Sequence, residues 1–233
     1  MKLSVLGAES TGKSELTRAM AAHFASQGRP VALVPEELRI WCARAGRTPV
    51  AHEQMGIALA QAQQVEQAHS RLLRERALQT SPQRSPESAA EPIVIADTTP
   101  LMIAVYSELL FQDLSLYDFA LAHQRMYDAT LLTGLDLPWV ADGMMRDGPH
   151  VRAPVDALVR RALTQAGLPF QVIYGEGPRR LDNALAALTL KARDLPEGDA
   201  RYTGLCETCG DGECEHRLFT ALLKSKAAAS PAR

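Results

Sequence analysis

Residues 7–14 read Gly-Ala-Glu-Ser-Thr-Gly-Lys-Ser. This is the G-x-x-x-x-G-K-[ST] spacing of a loop that wraps backbone N–H groups around a phosphate. Each residue type has a part in that chemistry. Gly7 and Gly12 permit backbone conformations and a close approach that a side chain would obstruct. Between them, Ala8, Glu9, Ser10 and Thr11 turn successive N–H groups inward. Lys13 puts a cation near the β- and γ-phosphates. Ser14 offers a hydroxyl to Mg²⁺ at a helix N-terminus, where the dipole favours anions, and Thr17 follows in the first turn. The context agrees: residues 1–6, MKLSVL, have the apolar content of a buried strand, and a helical run starts at Ser14. The expectation is a nucleoside-triphosphate site that uses ATP and Mg²⁺.

Two further strand ends carry charge. Residues 93–97, IVIAD, end at Asp97 and continue into Thr98-Thr99. A single carboxylate there suits Mg²⁺ placement with Ser14 and leaves no second acid beside it to activate water. That favours transfer to an acceptor over hydrolysis. Residues 31–34, VALV, run into Pro35-Glu36-Glu37-Leu38-Arg39. A carboxylate and an arginine at this point resemble small-molecule and nucleoside kinases, in which an acid accepts the proton of the acceptor hydroxyl. Glu37 is the favoured base, expected beside Asp97; Glu36 is the alternative, and Arg39 is a substrate contact. The tetrapeptide Thr133-Gly-Leu-Asp136 lacks the lysine of a guanine-reading signature, which argues against a GTPase switch.

These residues need a scaffold that brings them together. Apolar runs at 1–6, 31–34, 93–97, 129–133 and 170–174 alternate with helical patterns, which predicts an α/β, doubly wound, parallel five-stranded sheet. Leu16, Met20, Ala21 and Phe24 recur at helical spacing before Gly28. Met55, Leu59, Ala62, Val65, Leu72 and Leu73 mark one long amphipathic helix over 52–78. Further helices are expected at 101–111, 116–126, 154–166 and 183–192. Ligands of such sheets sit at the carboxyl ends of the strands, where each motif falls. Residues 80–92, TSPQRSPESAAEP, lack periodicity and read as a surface loop. The expected organisation is a nucleotide-binding domain over 1–195 and a cysteine-bearing appendage over 196–233.

Composition narrows the partners. The chain has 233 residues, 46% of them hydrophobic and 22% charged, enough for a sizeable core. A net charge of −2 gives no electrostatic footprint for nucleic acid or an anionic membrane, and aromatics at 5% are too sparse for base-stacking platforms. No run reaches the ~18 apolar residues of a membrane span. The apolar start is too short for a signal peptide and passes directly into the glycine loop. A cytoplasmic location is expected.

Residues 137–148, Leu-Pro-Trp-Val-Ala-Asp-Gly-Met-Met-Arg-Asp-Gly, complete a pattern. With GAESTGKS and the ADTT that closes the third strand, they resemble the NadR-type ribosylnicotinamide kinase domain, over residues 1 to about 192. The resemblance implies an ATP- and Mg²⁺-dependent kinase that phosphorylates nicotinamide riboside or a related nucleoside in NAD salvage. It implies that Trp139 and Asp142 lie on the substrate side, and that Arg146 and Arg152 belong to a lid over the triphosphate. An indole face can stack on a pyridinium ring, and arginines can neutralise a transferring phosphoryl group. Residues 174–180, YGEGPRR, resemble the adenine-side loop of nucleotide-monophosphate-type kinases, with Arg179 at the nucleotide. Pro178 at the first turn of a helix is the other reading. Two departures stand out. No His-x-Gly-His is present, so adenylyl transfer is not implied, and Thr99 stands where a second acid is expected. A rival class is a regulatory module that uses ATP as a switch.

Cys206, Cys209, Cys214 and His216 offer three thiolates and an imidazole within eleven residues. Zn²⁺ takes four N/S ligands in a tetrahedron, so these four form a candidate zinc site. A redox-active C-x-x-C pair and unliganded thiols are the alternatives.

Overall fold

The structure is a computed structural model that describes residues 1–79, 90–140 and 148–191. Five strands form it: β1 (Lys2–Leu6), β2 (Val31–Val34), β3 (Ile93–Asp97), β4 (Ala129–Thr133) and β5 (Gln171–Ile173). Every pairing is parallel and the order is β2-β3-β1-β4-β5. The five-stranded doubly wound sheet expected from the apolar runs is therefore the observed one. From β1 the chain builds β2 and β3 on one side, then β4 and β5 on the other. The crevice at the carboxyl end of β1 thus lies where the connections diverge, the usual ligand position in open α/β sheets.

Alternation within the strands turns apolar side chains to both faces of the sheet. Leu3 and Val5 of β1, Ile93 and Ile95 of β3, and Ala129 and Leu131 of β4 pack with Leu16, Met20 and Phe24 of α1 (Lys13–Ser26) and Ala184 and Ala187 of α7 (Gly177–Lys191). Leu6 and Leu132 face the other way. They meet Ile57 and Ala58 of α3 (Gln54–Gln79), residues 101–105 of α4 (Pro100–Phe111), Ala120 of α5 (Tyr117–Gln124) and Val155 and Val159 of α6 (Arg152–Gln165). Strands covered on both faces read as continuous apolar runs, which is why they are legible in sequence.

One helix was not expected. α2 (Glu37–Ala45) begins directly after the acidic pair and ends at Gly46, whose left-handed φ of 68° lets its N–H reach the Cys42 carbonyl at 2.8 Å. On α3 the apolar stripe is shifted from the expected one. Ile57, Ala58, Ala62, Val65 and Leu72 turn inward, whereas Met55, Leu59 and Leu73 stay exposed. Residues 80–89 of the expected surface loop, and the appendage from residue 196 onward, lie outside the described residues. No described helix is long and apolar enough to cross a membrane.

A buried polar knot underlies the end of β3. The Gln124 side chain donates to Ser4 Oγ and Thr130 Oγ1, both at 2.9 Å, and accepts from Thr99 Oγ1 at 2.7 Å. Thr99 also caps α4, accepting from the Leu101 N–H at 3.2 Å. The carboxamide thus joins β1, β4 and the segment that follows Asp97. Gln124→Leu should leave three buried hydroxyls short of a partner and destabilise the fold by roughly 2–4 kcal/mol. Denaturant titration with the slope unchanged is the check.

Candidate functional site

The glycine loop is shaped before its side chains matter. Gly7 leaves β1 at φ 144°, and a Cβ there would sit 2.0 Å from Thr133 Oγ1 at the end of β4. Only glycine allows that approach. The hydroxyls of Thr11 and Thr133 meet at 2.7 Å, with the carbonyls of Ala8 and Leu6 within 2.8 and 3.0 Å of them. Gly12, at φ 76°, turns the chain into α1. Lys13 Nζ donates to the Ala8 carbonyl at 2.7 Å, so the cation bends back over the loop.

Ser14 and Asp97 come together as the sequence reading expected. Ser14 Oγ donates to Asp97 Oδ2 at 2.5 Å, across the gap between α1 and the end of β3. The other oxygen, Asp97 Oδ1, is buried and has no hydrogen-bond partner. A hydroxyl and a carboxylate oxygen with spare lone pairs, both hard donors, fit Mg²⁺, which takes few protein ligands beside phosphate and water. The next residue, Thr98, is buried with φ 70°, a strained conformation for a β-branched residue. That strain lies beside the carboxylate.

Arg180 holds the loop from behind. Only 4% exposed, it donates to the Thr11 carbonyl at 2.9 Å and the Gly175 carbonyl at 2.6 Å, and lies 3.4 Å from Asp136 Oδ1. Asp136 Oδ2 in turn accepts from the Gly175 N–H at 2.7 Å. The guanidinium therefore ties the glycine loop to the segments after β4 and β5. Sequence reasoning pointed to its neighbour, Arg179, which is exposed. Adjacent residues on a helix point about 100° apart, and the Arg-Arg dipeptide alone cannot tell which one turns inward. The expected loop over 174–180 also becomes helix at Gly177, as the Pro178 reading allowed.

A cavity of about 310 Å³ opens beside the loop. Glu9, Ser10, Thr11, Gly12, Lys13 and Ser14 form one wall, with Glu15 and Arg18 of α1. Glu36, Leu38, Arg39 and Cys42 of α2 form the next, and Thr48, Pro49, Gln54, Tyr106 and Leu110 complete it. Burial, with the Glu36 carboxylate beside it, pushes the Cys42 thiol up, so it stays a neutral thiol there. Of the acidic pair, Glu36 lines the cavity, 3.5 Å from Arg39. Glu37, the residue favoured from sequence, is buried against α3 instead. Its N–H donates to Gln61 Oε1 at 2.7 Å, and its carboxylate accepts from Gln64. The unexpected helix is the reason, because α2 starts at Glu37 and turns that side chain away from its predecessor.

The segment after β4 lies against the outer side of the loop. The Val140 N–H donates to Ser10 Oγ at 2.8 Å, and Leu137 approaches Gly12. Arg152 is buried at the start of α6 and donates to the carbonyls of Leu137 at 2.8 Å and Leu135 at 3.3 Å. Its guanidinium thus holds backbone, where the resemblance implied a lid over the triphosphate. Trp139 is half-buried and is not among the residues lining the cavity. Asp142, Arg146, Cys206, Cys209, Cys214 and His216 lie outside the described residues. Among the described residues, no group of three or more His, Cys, Asp or Glu side chains is placed to hold a metal ion.

Comparison with known proteins agrees with this geometry. The fold is similar to a structure of NadR protein in complex with NR, at a TM-score of 0.58 and 17% identity, covering 82% of this chain and 49% of that one. The chain thus spans about half the length of that protein. It is also similar to deoxyadenosine kinase from M. mycoides, at a TM-score of 0.50 and 15% identity, covering 83% of this chain and all of the other. No curated protein matches the sequence. A family model described as AAA domain matches residues 2–180, from the first strand through Arg180, and the chain belongs to that family.

Proposed function

We propose that the protein is an ATP-dependent kinase acting on a small molecule, with nicotinamide riboside or a related nucleoside as acceptor. The observation that carries this reading is the arrangement around the loop. Lys13 and the Ser14–Asp97 pair border the triphosphate position, and a half-apolar cavity with an acid and an arginine opens on the same loop. A hydrolase needs room for one water there, whereas this cavity has room for a ring and a sugar. The two similar structures support the reading, one being NadR protein in complex with NR and the other a deoxyadenosine kinase with products bound.

In this reading the loop N–H groups and Lys13 hold the β- and γ-phosphates, and Lys13 exchanges the Ala8 carbonyl for phosphate oxygen. Ser14 Oγ and Asp97 would hold Mg²⁺, which when bound offsets charge on the phosphates. Glu36 takes the place first assigned to Glu37, because its carboxylate is the one on the cavity, and accepts the proton of the acceptor hydroxyl. Arg39 orients the acceptor. The chemistry is chiefly positioning and charge stabilisation, as phosphoryl transfer requires.

Lys13→Ala should leave the fold intact, weaken ATP binding and lower phosphoryl transfer at least ~100-fold, since it removes a charge from the transferring group. A coupled ADP-release assay with a nucleoside panel checks this, and slow release indifferent to every nucleoside would instead make the protein an ATP-operated switch. Asp97→Asn should raise the Mg²⁺ concentration needed for half-maximal rate by about tenfold or more, because one carboxylate charge at the metal is lost. Titration of the rate with Mg²⁺ at saturating ATP measures it, and an unchanged midpoint would remove Asp97 from the metal site.

A further inference from the structure

We infer that Gln54 reads the ring edge of the acceptor, so that the cavity selects aromatic nucleosides bearing an amide or an amino group there. Gln54 is 2% exposed and lines the cavity, and its Oε1 is buried without a hydrogen-bond partner. A carboxamide oxygen shut away from water is paired in nearly all native proteins, and one left without a partner in a residue that lines a cavity asks for a partner from the cavity. Other glutamines of the fold show the usual state. Gln61, two turns along the same helix, accepts from the Glu37 N–H at 2.7 Å and donates to the Pro35 carbonyl at 3.2 Å. Gln124 is paired at both ends.

The position of Gln54 is held from both sides. It opens α3, directly after Glu53, whose carboxylate accepts from Arg47 at 2.7 and 2.8 Å and from the Val50 N–H at 2.9 Å. Arg47 lies over the Trp41 ring at 4.9 Å, anchoring the turn to α2. The Arg47 guanidinium keeps the Glu53 carboxyl far below the usual range, at about 2, so this anchor persists at physiological pH. Leu38, Tyr106 and Leu110 give the same cavity apolar walls suited to a flat ring. A carboxamide presents an acceptor beside a donor. Its complement is an N–H beside an acceptor, as in a primary carboxamide or in the amino and ring-nitrogen edge of adenine or cytosine. A carboxylate edge would set oxygen against Oε1.

This selectivity deepens the kinase reading and rests on it for the fate of the ligand, but binding tests it separately. The probes are two pairs: nicotinamide riboside with pyridine riboside, and adenosine with purine riboside. Within at least one pair the full-length protein should favour the amide- or amino-bearing member about ten- to a hundredfold in Kd, because the analogue leaves buried Gln54 unpaired. Gln54→Met keeps the side-chain length and removes both hydrogen-bonding atoms. It should shrink that preference to within about twofold, with ATP affinity and melting temperature near wild type as proof of folding. A preference that persists in Gln54→Met, or the absence of riboside binding to the wild type, would overturn the inference. Riboside binding with the expected preference but no phosphoryl transfer would uphold Gln54 and overturn the kinase reading instead.

Discussion

The site depends on a contact in which no side chain can intervene. At the end of β1 the Gly7 backbone lies so close to Thr133 of β4 that a methyl group would overlap the hydroxyl. The same hydroxyl meets Thr11, and the Thr11 carbonyl accepts from Arg180. The glycine loop is thus clamped to β4 and to α7. Preorganisation of this kind is what makes backbone N–H groups effective toward a phosphate, since their orientation costs nothing further when charge arrives.

Around that fixed loop, the two sides differ in character. On one side, the segment after β4 is held by backbone contacts from Ser10 and Arg152, and Arg152 acts there as a structural cation. On the other side, α2, α3 and α4 border a cavity in which apolar side chains such as Leu38, Tyr106 and Leu110 face the polar loop and the charged groups of α1 and α2. Among the described residues, this cavity brings together a carboxylate, an arginine and a carboxamide oxygen without a hydrogen-bond partner. The division follows from topology, because β2 and β3 carry their helices to one side of β1 while β4 and β5 build the other.

The end of β3 at Asp97 is supported from below by buried polar groups that do not line the cavity. Gln124 joins Ser4, Thr130 and Thr99, so Asp97 is fixed at one end by the β-ladder and at the other by a capped helix. The left-handed Thr98 between them stores strain that the surrounding contacts hold in place.

The sequence by itself determined the five parallel strands, the glycine loop and the meeting of Ser14 with Asp97. These depend on local rules: apolar runs for strands buried on both faces, and a spacing that only one loop geometry satisfies. Whether Glu36 or Glu37 faces the cavity, and whether Arg179 or Arg180 turns inward, was decided by tertiary structure. Each pair is adjacent in sequence, and the choice turns on the rotation of a helix about its axis, set by packing partners far along the chain. Gln54, Tyr106 and Cys42 carried no motif. Their role appears only where three helices, separated in sequence, close around the same space.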